Sequence, residues 1–410
     1  MIRRLGRGTL ICLLPVLLAL DVGASTFPGG STIPWHPAMV DLDVYLLAGR
    51  VALEGGNFYQ LPGRLPFLYP PIAALFAVPL AMLPTALVQI VWTAAAALLI
   101  VAVLHRWGQT GWRLSLWSAA VVYAVLPVSQ TLAFGQVGIL LVALVVLDLA
   151  PGPRIFGRRL LPEGALTGLA AAIKLTPMIF VLYLLAVRRW RAALMAVASA
   201  GILTIVAGVV FPSISLGFWV RLAHGDTGLG HTLIYYTNQS VYADFLRIFR
   251  LSAMGTGLGL LVSVVVVALG VWAAAVWHRA GEVRLAVALC GVASLLASPV
   301  SWLHHFVWIV PLAFSLVELA RPARRNGGSA LPTWFVILGW LFVGWVIVSP
   351  YRRLPNGGDL ELQWTAGQNL LATVTAILGT ALLIAAIVVG RRVRLGSEVG
   401  GSEVRSSEPR

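Results

Sequence analysis

The chain has 410 residues, of which 59% are hydrophobic and 11% are charged, and its formal net charge is +14. This composition excludes an ordinary soluble globular protein, because apolar runs of about 20 residues recur along the chain and leave no polar stretch for a separate domain. The cations lie in short clusters between apolar runs, which indicates membrane topology rather than a nucleic-acid-binding face. Cys12 and Cys290 both lie inside predicted spans, so no disulfide framework is expected. The sequence therefore predicts an all-α polytopic membrane protein.

The apolar runs predict about twelve membrane crossings, the first of which is the N-terminal run rather than a cleaved signal peptide. The predicted spans are residues 6–24, 86–104, 114–131, 135–150, 191–211, 254–277, 283–299, 302–320, 331–349 and 367–390. Residues 162–187 contain Lys174 and Pro177 at their centre and are predicted to form a hairpin of two short helices. Residues 67–84 carry four prolines and are predicted to be re-entrant.

The cation clusters predict which side of the membrane each loop occupies. With these spans, roughly 21 of the 29 cations fall on one side, which is assigned to the cytoplasm together with both termini. The longest loops, residues 25–66, 212–253 and 350–366, then form an extracytoplasmic working face. We expect one membrane domain over residues 1–390 and a disordered cytoplasmic tail over residues 391–410.

The segment 38–60 follows the first span and has the pattern of a helix lying along the membrane surface. It begins with Asp41 and Asp43, which point in different directions if the segment is helical. One of them is a candidate general base toward a hydroxyl group. The alternatives are a helix-capping or solvated acid, and a D-x-D pair that binds a hard divalent cation.

Lys174 is the only lysine in the chain, and it lies at the tip of the predicted hairpin. An ionisable group at membrane depth usually faces a polar cavity, and an ammonium is a suitable partner for a phosphate. The alternative is a lysine whose side chain extends to the lipid headgroups.

Further polar residues lie near the predicted outer face. His304 and His305 are adjacent at the start of a predicted span, so one of them can face a cavity and share a proton with a carboxylate. Trp302 beside them is a candidate either for the interfacial aromatic belt or for substrate binding. The amides of Gln136, Asn238 and Gln239 suit sugar hydroxyls, and they equally suit hydrogen bonds between helices.

Six short motifs in a fixed order carry a resemblance to a known family. They are VDLDVY from Val40, PFLYPP from Pro66, FGQ from Phe134, KLTP from Lys174, NQS from Asn238 and SPVSWLHH from Ser298. Together they resemble glycosyltransferase family 87, the actinobacterial polyprenyl-phosphate-mannose-dependent α-1,2-mannosyltransferases of the GT-C fold. The resemblance extends over roughly residues 35–390.

The resemblance implies an inverting, metal-independent and cofactor-free transfer of mannose from a lipid-linked donor. The acceptor would be a mannose hydroxyl of phosphatidylinositol mannoside, lipomannan or lipoarabinomannan. The family motif places the essential acid at Asp41, with Asp43 in reserve, and makes His304 or His305 its partner. We expect Lys174 to bind the lipid phosphate, and Tyr69, Gln136, Asn238, Gln239 and Trp302 to bind substrate.

Two other functions remain open from the sequence. A transporter or flippase for a lipid-linked sugar also uses charged groups within the membrane, although it needs a pathway that opens to both sides. A related GT-C enzyme that transfers another sugar, such as arabinose, would share the same lipid-donor motifs.

Overall fold

The structure is a computed structural model that describes residues 2–61, 63, 65–154, 157–226, 228–320 and 331–406. In chain order its helices are α1 (Ile2–Ser25), α2 (Val40–Leu53), α3 (Pro71–Ala81), α4 (Thr85–Arg106), α5 (Gly111–Ala124), α6 (Leu126–Phe134), α7 (Gly138–Leu149), α8 (Ala165–Ile173), α9 (Ile179–Ala186), α10 (Trp190–Val210), α11 (Pro212–Ala223), α12 (Val241–Ile248), α13 (Ala253–Arg279), α14 (Val283–Ala297), α15 (Ile309–Leu319), α16 (Thr333–Val348) and α17 (Ala366–Ser406). Short 3₁₀ helices occupy Thr176–Met178, Gly230–Ile234, Leu303–Trp308, Pro350–Arg353 and Leu360–Gln363. The described residues form no sheet, only isolated bridges at Ser31–His36 and Asn238–Trp302.

The chain divides into two compact units. The first comprises Met1–Met178 and Arg191–Thr232, and the second comprises Ile179–Trp190 and Leu233–Arg410. The first unit therefore holds α1 to α8, α11 and nearly all of α10, and the second holds α9 and α12 to α17. The single membrane domain over residues 1–390 stays a prediction from the sequence.

Membrane-spanning helices confirm a multi-pass membrane protein. Among the described residues, six helices are long and apolar enough to cross a bilayer, or seven if the bent pair α5 and α6 forms one span. They are Gly8–Ser25, Thr85–Arg106, Trp190–Val210, Ala253–Arg279, Thr333–Arg353 and Ala366–Val393. The twelve predicted crossings are not confirmed, because the remaining apolar helices have only 10–17 residues. A helix crosses the hydrocarbon core alone when it has about 20 residues.

The predicted span at residues 114–131 is broken. The chain bends by 76° between α5 and α6. Val125 is extended at the break, and Pro127 lies in the first turn of α6, where its missing N–H prevents a continuous helix. The predicted pair of short helices over residues 162–187 is confirmed as α8 and α9, separated by extended backbone at Lys174 and the 3₁₀ turn Thr176–Met178.

Small residues bring the helices of the first unit into close contact. A Cβ atom on Gly49 of α2 would lie 2.8 Å from the Ala77 carbonyl group of α3. Ile72 of α3, Ala172 of α8 and Ala207 of α10 form a buried apolar cluster. Such close backbone packing is typical of helices in membranes, where dispersion contacts replace the hydrophobic effect.

A buried carboxylate secures the start of α8. Asp148 of α7 accepts hydrogen bonds from the Gly164 amide at 3.0 Å, the Thr167 amide at 3.0 Å and the Thr167 hydroxyl at 2.8 Å. It therefore satisfies N–H groups that the first turn of a helix leaves without partners. Through α8, this contact supports the position of Lys174.

The second unit is built around α13, α14 and α17. A Cβ atom on Gly270 of α13 would lie 2.1 Å from the Ala293 Cβ of α14. The Trp277 indole of α13 donates to the Ala386 carbonyl of α17 at 2.9 Å. Before these helices, Arg247 of α12 is buried, pairs with Asp244 and donates to the Asn238 carbonyl at 2.9 Å.

The C-terminal helix differs from the expected tail. Residues 391–410 were expected to be disordered, yet α17 continues to Ser406. A helix extends readily once it is nucleated, and the span that precedes residue 391 supplies that nucleus. Residues 407–410 lie outside the described part of the chain.

Candidate functional site

Side chains from separate segments of the first unit surround the carboxylate of Asp41. Asp41 is the second residue of α2, and Tyr45 lies one turn later on the same helix. Tyr69 comes from the loop before α3, Gln136 lies two residues after the end of α6, and Lys174 follows α8 directly. The structure therefore unites four residues that the sequence singled out, and it adds Tyr45.

Gln136 is the centre of this cluster. Its Oε1 atom lies 2.6 Å from the Tyr45 hydroxyl, 2.7 Å from the Tyr69 hydroxyl and 2.9 Å from the Val137 amide. The two hydroxyl groups are also 2.8 Å apart, so two hydroxyl protons serve three contacts. The Gln136 side chain also hydrogen-bonds to Asp41. Because its oxygen accepts from the other groups, its amide N–H₂ is the donor to the carboxylate.

The surroundings of Asp41 set its proton affinity. Burial raises its pKa to about 7, while the charge of Lys174 and the hydrogen bond from Gln136 lower it. Asp43, two residues later, is more exposed; partial burial raises its pKa, and the charge of Arg50 lowers it. Asp41 thus has a pKa near neutrality, which suits a general base that must gain and lose a proton at the pH of the cell.

Lys174 lies against the same cluster. Its Nζ atom is 5.6 Å from the centre of the Tyr69 ring, within the range of a cation–π contact. Its charge also acts on Asp41. The extended backbone at Lys174 ends α8 and turns the side chain out of the helix. The sole lysine of the chain is therefore held beside the candidate base.

Backbone packing fixes the position of Gln136 relative to α2. Gly135 has a left-handed backbone, with φ of 66°, and ends α6. A Cβ atom there would lie 2.5 Å from the Leu42 Cβ, next to Asp41. The Met39 amide, just before α2, donates to the Ala133 carbonyl of α6 at 3.1 Å. Only glycine fits such a position, so the FGQ motif serves to bring Gln136 against the start of α2.

The histidine pair belongs to the second unit. His304 and His305 lie in the 3₁₀ helix Leu303–Trp308, not in the α-helix that was expected, and both are buried. Their rings meet edge to face with centres 4.6 Å apart. His305 Nδ1 accepts from the Trp302 amide at 3.2 Å, which fixes the proton-bearing nitrogen of the His305 ring as Nε2 when the ring is neutral.

Asn238 and Gln239 have internal partners in the second unit. The Asn238 amide donates to the carbonyls of Leu233 and Pro299 at 2.9 and 3.0 Å and accepts from the Ser301 amide at 2.8 Å. Gln239 donates to the Tyr236 carbonyl at 2.9 Å and accepts from the Thr375 hydroxyl at 2.6 Å. Both side chains are fully buried. The geometry therefore favours a structural role over the sugar-binding role expected from the sequence.

One residue of the cluster is not singled out by the sequence interpretation. Tyr45 lies four residues after Asp41 on the same predicted helix, and this spacing is a usable signal. Within the described part of the chain, no group of three or more His, Cys, Asp or Glu side chains is arranged to hold a metal ion. Among these residues, Asp41 and Asp43 therefore have no third side chain of these types placed to complete a metal site.

Comparison with known proteins gives consistent matches. The family model for glycosyltransferase family 87 matches residues 67–299. A polyprenol-phosphate-mannose-dependent α-(1-2)-phosphatidylinositol mannoside mannosyltransferase of Mycobacterium tuberculosis (strain ATCC 25618 / H37Rv) is 30% identical, over 88% of this chain and 87% of that protein. A polyprenol-phosphate-mannose-dependent α-(1-2)-phosphatidylinositol pentamannoside mannosyltransferase of M. tuberculosis (strain CDC 1551 / Oshkosh) is 32% identical, over 82% of this chain and 76% of that protein.

One solved structure is similar at a lower level. The crystal structure of ArnT from Cupriavidus metallidurans bound to undecaprenyl phosphate aligns with 97% of this chain and 78% of that chain, at 16% identity and a TM-score of 0.31.

Proposed function

The chain belongs to glycosyltransferase family 87, and on that premise we propose that it transfers mannose from polyprenol-phosphate mannose to a phosphatidylinositol mannoside. The transfer forms an α-1,2 linkage with a mannose hydroxyl of the acceptor, as the names of the related mycobacterial enzymes indicate for those proteins. Lipomannan and lipoarabinomannan are acceptors of the same chemical class. The architecture proposed for the whole chain is the GT-C fold.

The observation that carries this proposal is the environment of Asp41. Asp41 accepts the proton of the acceptor 2-hydroxyl while that oxygen bonds to the anomeric carbon of the donor mannose. The bond between the anomeric carbon and the phosphate oxygen breaks on the opposite face, and its electron pair leaves with the polyprenyl phosphate. The configuration at the anomeric carbon is thereby inverted.

Two neighbours of Asp41 assist this step. Gln136 donates to the carboxylate and orients it toward the acceptor. Lys174 supplies positive charge within the cluster, which favours the ionised base and stabilises the negative charge that develops on the leaving phosphate. Tyr69 holds Gln136 in place, and its ring offers a surface for a sugar.

Several further parts of the proposal rest on the sequence. His304, His305 and Trp302 remain predicted to contribute to proton transfer and substrate binding. We place the reaction on the extracytoplasmic face, where the arginine distribution puts the loops and where a lipid-linked donor replaces a nucleotide sugar. Transfer is proposed to need no metal, and activity that disappears with EDTA and returns with Mg²⁺ would contradict this.

The test compares two carboxylates that are two residues apart. Purified protein in nanodiscs is given polyprenyl-phosphate mannose and short phosphatidylinositol mannosides, and mannose transfer is measured for wild type, Asp41→Asn and Asp43→Asn. We expect Asp41→Asn to lower kcat by about a hundredfold or more, because general base catalysis is lost. Asp43→Asn is the matched control, and we expect its kcat to stay close to that of wild type.

Other outcomes have distinct meanings. A larger loss in Asp43→Asn than in Asp41→Asn moves the base two residues along α2. A folded wild type that transfers mannose to no acceptor turns the interpretation toward a lipid-linked sugar transporter. Transfer of arabinose in place of mannose keeps the enzyme class and changes the donor.

A further inference from the structure

Arg221 near the end of α11 has an unusual environment among the arginines of the first unit. Its guanidinium group lies 4.8 Å from the centre of the Tyr59 ring, and the residue is exposed. Within the described part of the chain, no carboxylate or carbonyl group accepts a hydrogen bond from its side chain. By contrast, Arg106 donates to the carbonyls of Gly152 and Pro153, and Arg159 pairs with Asp148. The N–H groups of Arg221 are therefore available to a ligand.

The Tyr59 ring next to this guanidinium is itself held by two contacts. Its ring stacks on Phe218, one turn before Arg221 on α11, with centres 5.5 Å apart and planes inclined by 16°. Its hydroxyl donates to the Tyr69 carbonyl at 2.7 Å. Since the Tyr69 side chain contacts Gln136 and Lys174, the support of Arg221 is continuous with the cluster around Asp41.

The position of α11 suits a lipid headgroup. The helix begins at Pro212, two residues after the membrane-spanning helix α10 ends at Val210. Its face away from Phe218 exposes Leu216 and Val220, with 67% and 47% of their surfaces accessible. An apolar face next to the end of a span indicates a helix that lies along the membrane surface, at the level of lipid phosphates.

The chemistry of a guanidinium that lies over an aromatic ring selects its ligand. The ring faces the guanidinium and leaves N–H donors at its edge, where two of them can bind two oxygens of a phosphate at once. Lys174 supplies positive charge as a single ammonium, whereas the guanidinium of Arg221 offers paired donors that an ammonium lacks.

We propose that Arg221, next to Tyr59, binds the phosphodiester group of a lipid substrate in the transfer reaction. This inference rests on the proposed function, because both the donor and the acceptor of that reaction are lipid phosphodiesters. The shared chemistry is a membrane-anchored phosphodiester, and kinetics on the two substrates separate the sources.

The experiment measures KM for each substrate with the other held at saturation, in wild type and Arg221→Gln. We expect KM for one lipid to rise about tenfold or more, since a charge-assisted contact to phosphate is lost. The matched control is Arg113→Gln. Arg113 also lies over an aromatic ring, 5.7 Å from the centre of the Trp112 ring. It belongs to α5, which comes after the C-terminal end of α4, whereas α2 contacts the first residue of α4 through the hydrogen bond from Arg50 to Thr85. We expect both KM values of the control to match wild type.

Each outcome decides the proposal. A raised KM for polyprenyl-phosphate mannose assigns the site to the donor, and a raised KM for the phosphatidylinositol mannoside assigns it to the acceptor. Unchanged values for both lipids overturn the proposal. Arg221→Lys keeps the charge without the paired donors, so its KM should lie between those of wild type and Arg221→Gln, and it provides the comparison if the glutamine variant does not fold.

A separate measurement distinguishes this inference from the proposed function. Binding of polyprenyl phosphate and of phosphatidylinositol mannoside to wild type and Arg221→Gln in nanodiscs needs no catalysis. The proposed function alone is contradicted if the wild type transfers no mannose but binds one of these lipids more tightly than Arg221→Gln does. Active wild type whose affinities do not change with Arg221→Gln contradicts the inference alone.

Discussion

The Tyr45 hydroxyl donates to Gln136 Oε1 at 2.6 Å, across 91 positions of sequence. This contact fixes the side-chain amide whose other end donates to Asp41. α2 therefore carries both Asp41, the candidate base, and Tyr45, which orients the Gln136 amide that donates to Asp41. Tyr45 is in our interpretation a positioning residue, since it acts on Asp41 through Gln136.

Tyr45→Phe tests this role. We expect kcat to fall about fivefold with KM unchanged, because one neutral hydrogen bond of about 1 kcal/mol is removed while Tyr69 and the Val137 amide still hold Gln136. The midpoint of the pH profile should also move, which loss of packing alone would not cause. Tyr183→Phe removes a hydroxyl contact of equal length, 2.6 Å to His278 Nδ1, and is expected to leave kcat unchanged. An unaltered kcat and midpoint in Tyr45→Phe would show that Gln136 needs no such support.

The rate should depend on pH through Asp41. The base acts when ionised, so kcat is expected to rise with pH through about 7 and to fall about tenfold per unit well below it. Among the described residues, the ionisable groups that interact with Asp41 are Lys174, Tyr45 and Tyr69, and the raised pKa values of the two phenols keep them neutral there. Lys174→Gln removes a charge that favours the carboxylate, so its midpoint should lie above that of wild type.

The measurement is kcat between pH 5 and pH 9, a range of about two units on each side of the expected midpoint. Asp43→Asn is the control and should retain the midpoint of wild type. A midpoint that stays in place in Lys174→Gln would mean that another group governs the profile.

Asp148 should matter for stability rather than for chemistry. Asp148→Ala leaves the Gly164 and Thr167 donors buried without their acceptor, and we expect the free energy of unfolding to fall by about 2–5 kcal/mol. Asp226→Ala is the matched control, because among the described residues the Asp226 side chain accepts only from the exposed Gly228 amide, and its effect should stay within about 0.5 kcal/mol. Thermal unfolding in detergent compares the variants. Equal melting temperatures for the two variants would contradict this account of the start of α8.

Asn238→Ala separates a structural role from sugar binding. The substitution breaks contacts with Leu233, Pro299 and Ser301, so we expect a clear fall in melting temperature and an unchanged KM for both substrates in the protein that remains folded. Melting curves and substrate kinetics are measured on the same preparation. A raised KM with an unchanged melting temperature would restore the sugar-binding role expected from the sequence.

The sequence predicted where some residues of the site lie better than it predicted their contacts with one another. Asp41 at the start of a helix and Lys174 at a helix break follow from local pattern, because acids, prolines and apolar periodicity act over a few residues. Tyr69 and Gln136 were expected to bind sugar, and their contacts with each other and with Tyr45 join distant segments. An amide shows no preference in sequence between a sugar and a neighbouring side chain, as Asn238 also illustrates.

The count of twelve spans is not confirmed, for a related reason. Hydrophobicity shows which residues avoid water, but it does not separate a helix that faces lipid from one enclosed by protein. Residues 114–131 are apolar throughout, yet they divide at Val125 into two helices. α7 has 12 residues, well short of a full span, although its sequence is as apolar as one.

The packing of Gly135 against Leu42 has a consequence for engineering this enzyme. Asp41 and Gln136 are brought together by hydrogen bonds and also by close packing at Gly135, where there is no room for a Cβ atom. A redesign toward another sugar can therefore vary the loops and the aromatic residues around the site, while position 135 admits no side chain. Directed evolution that allows mutation there would lose active clones without gaining any new contact to substrate.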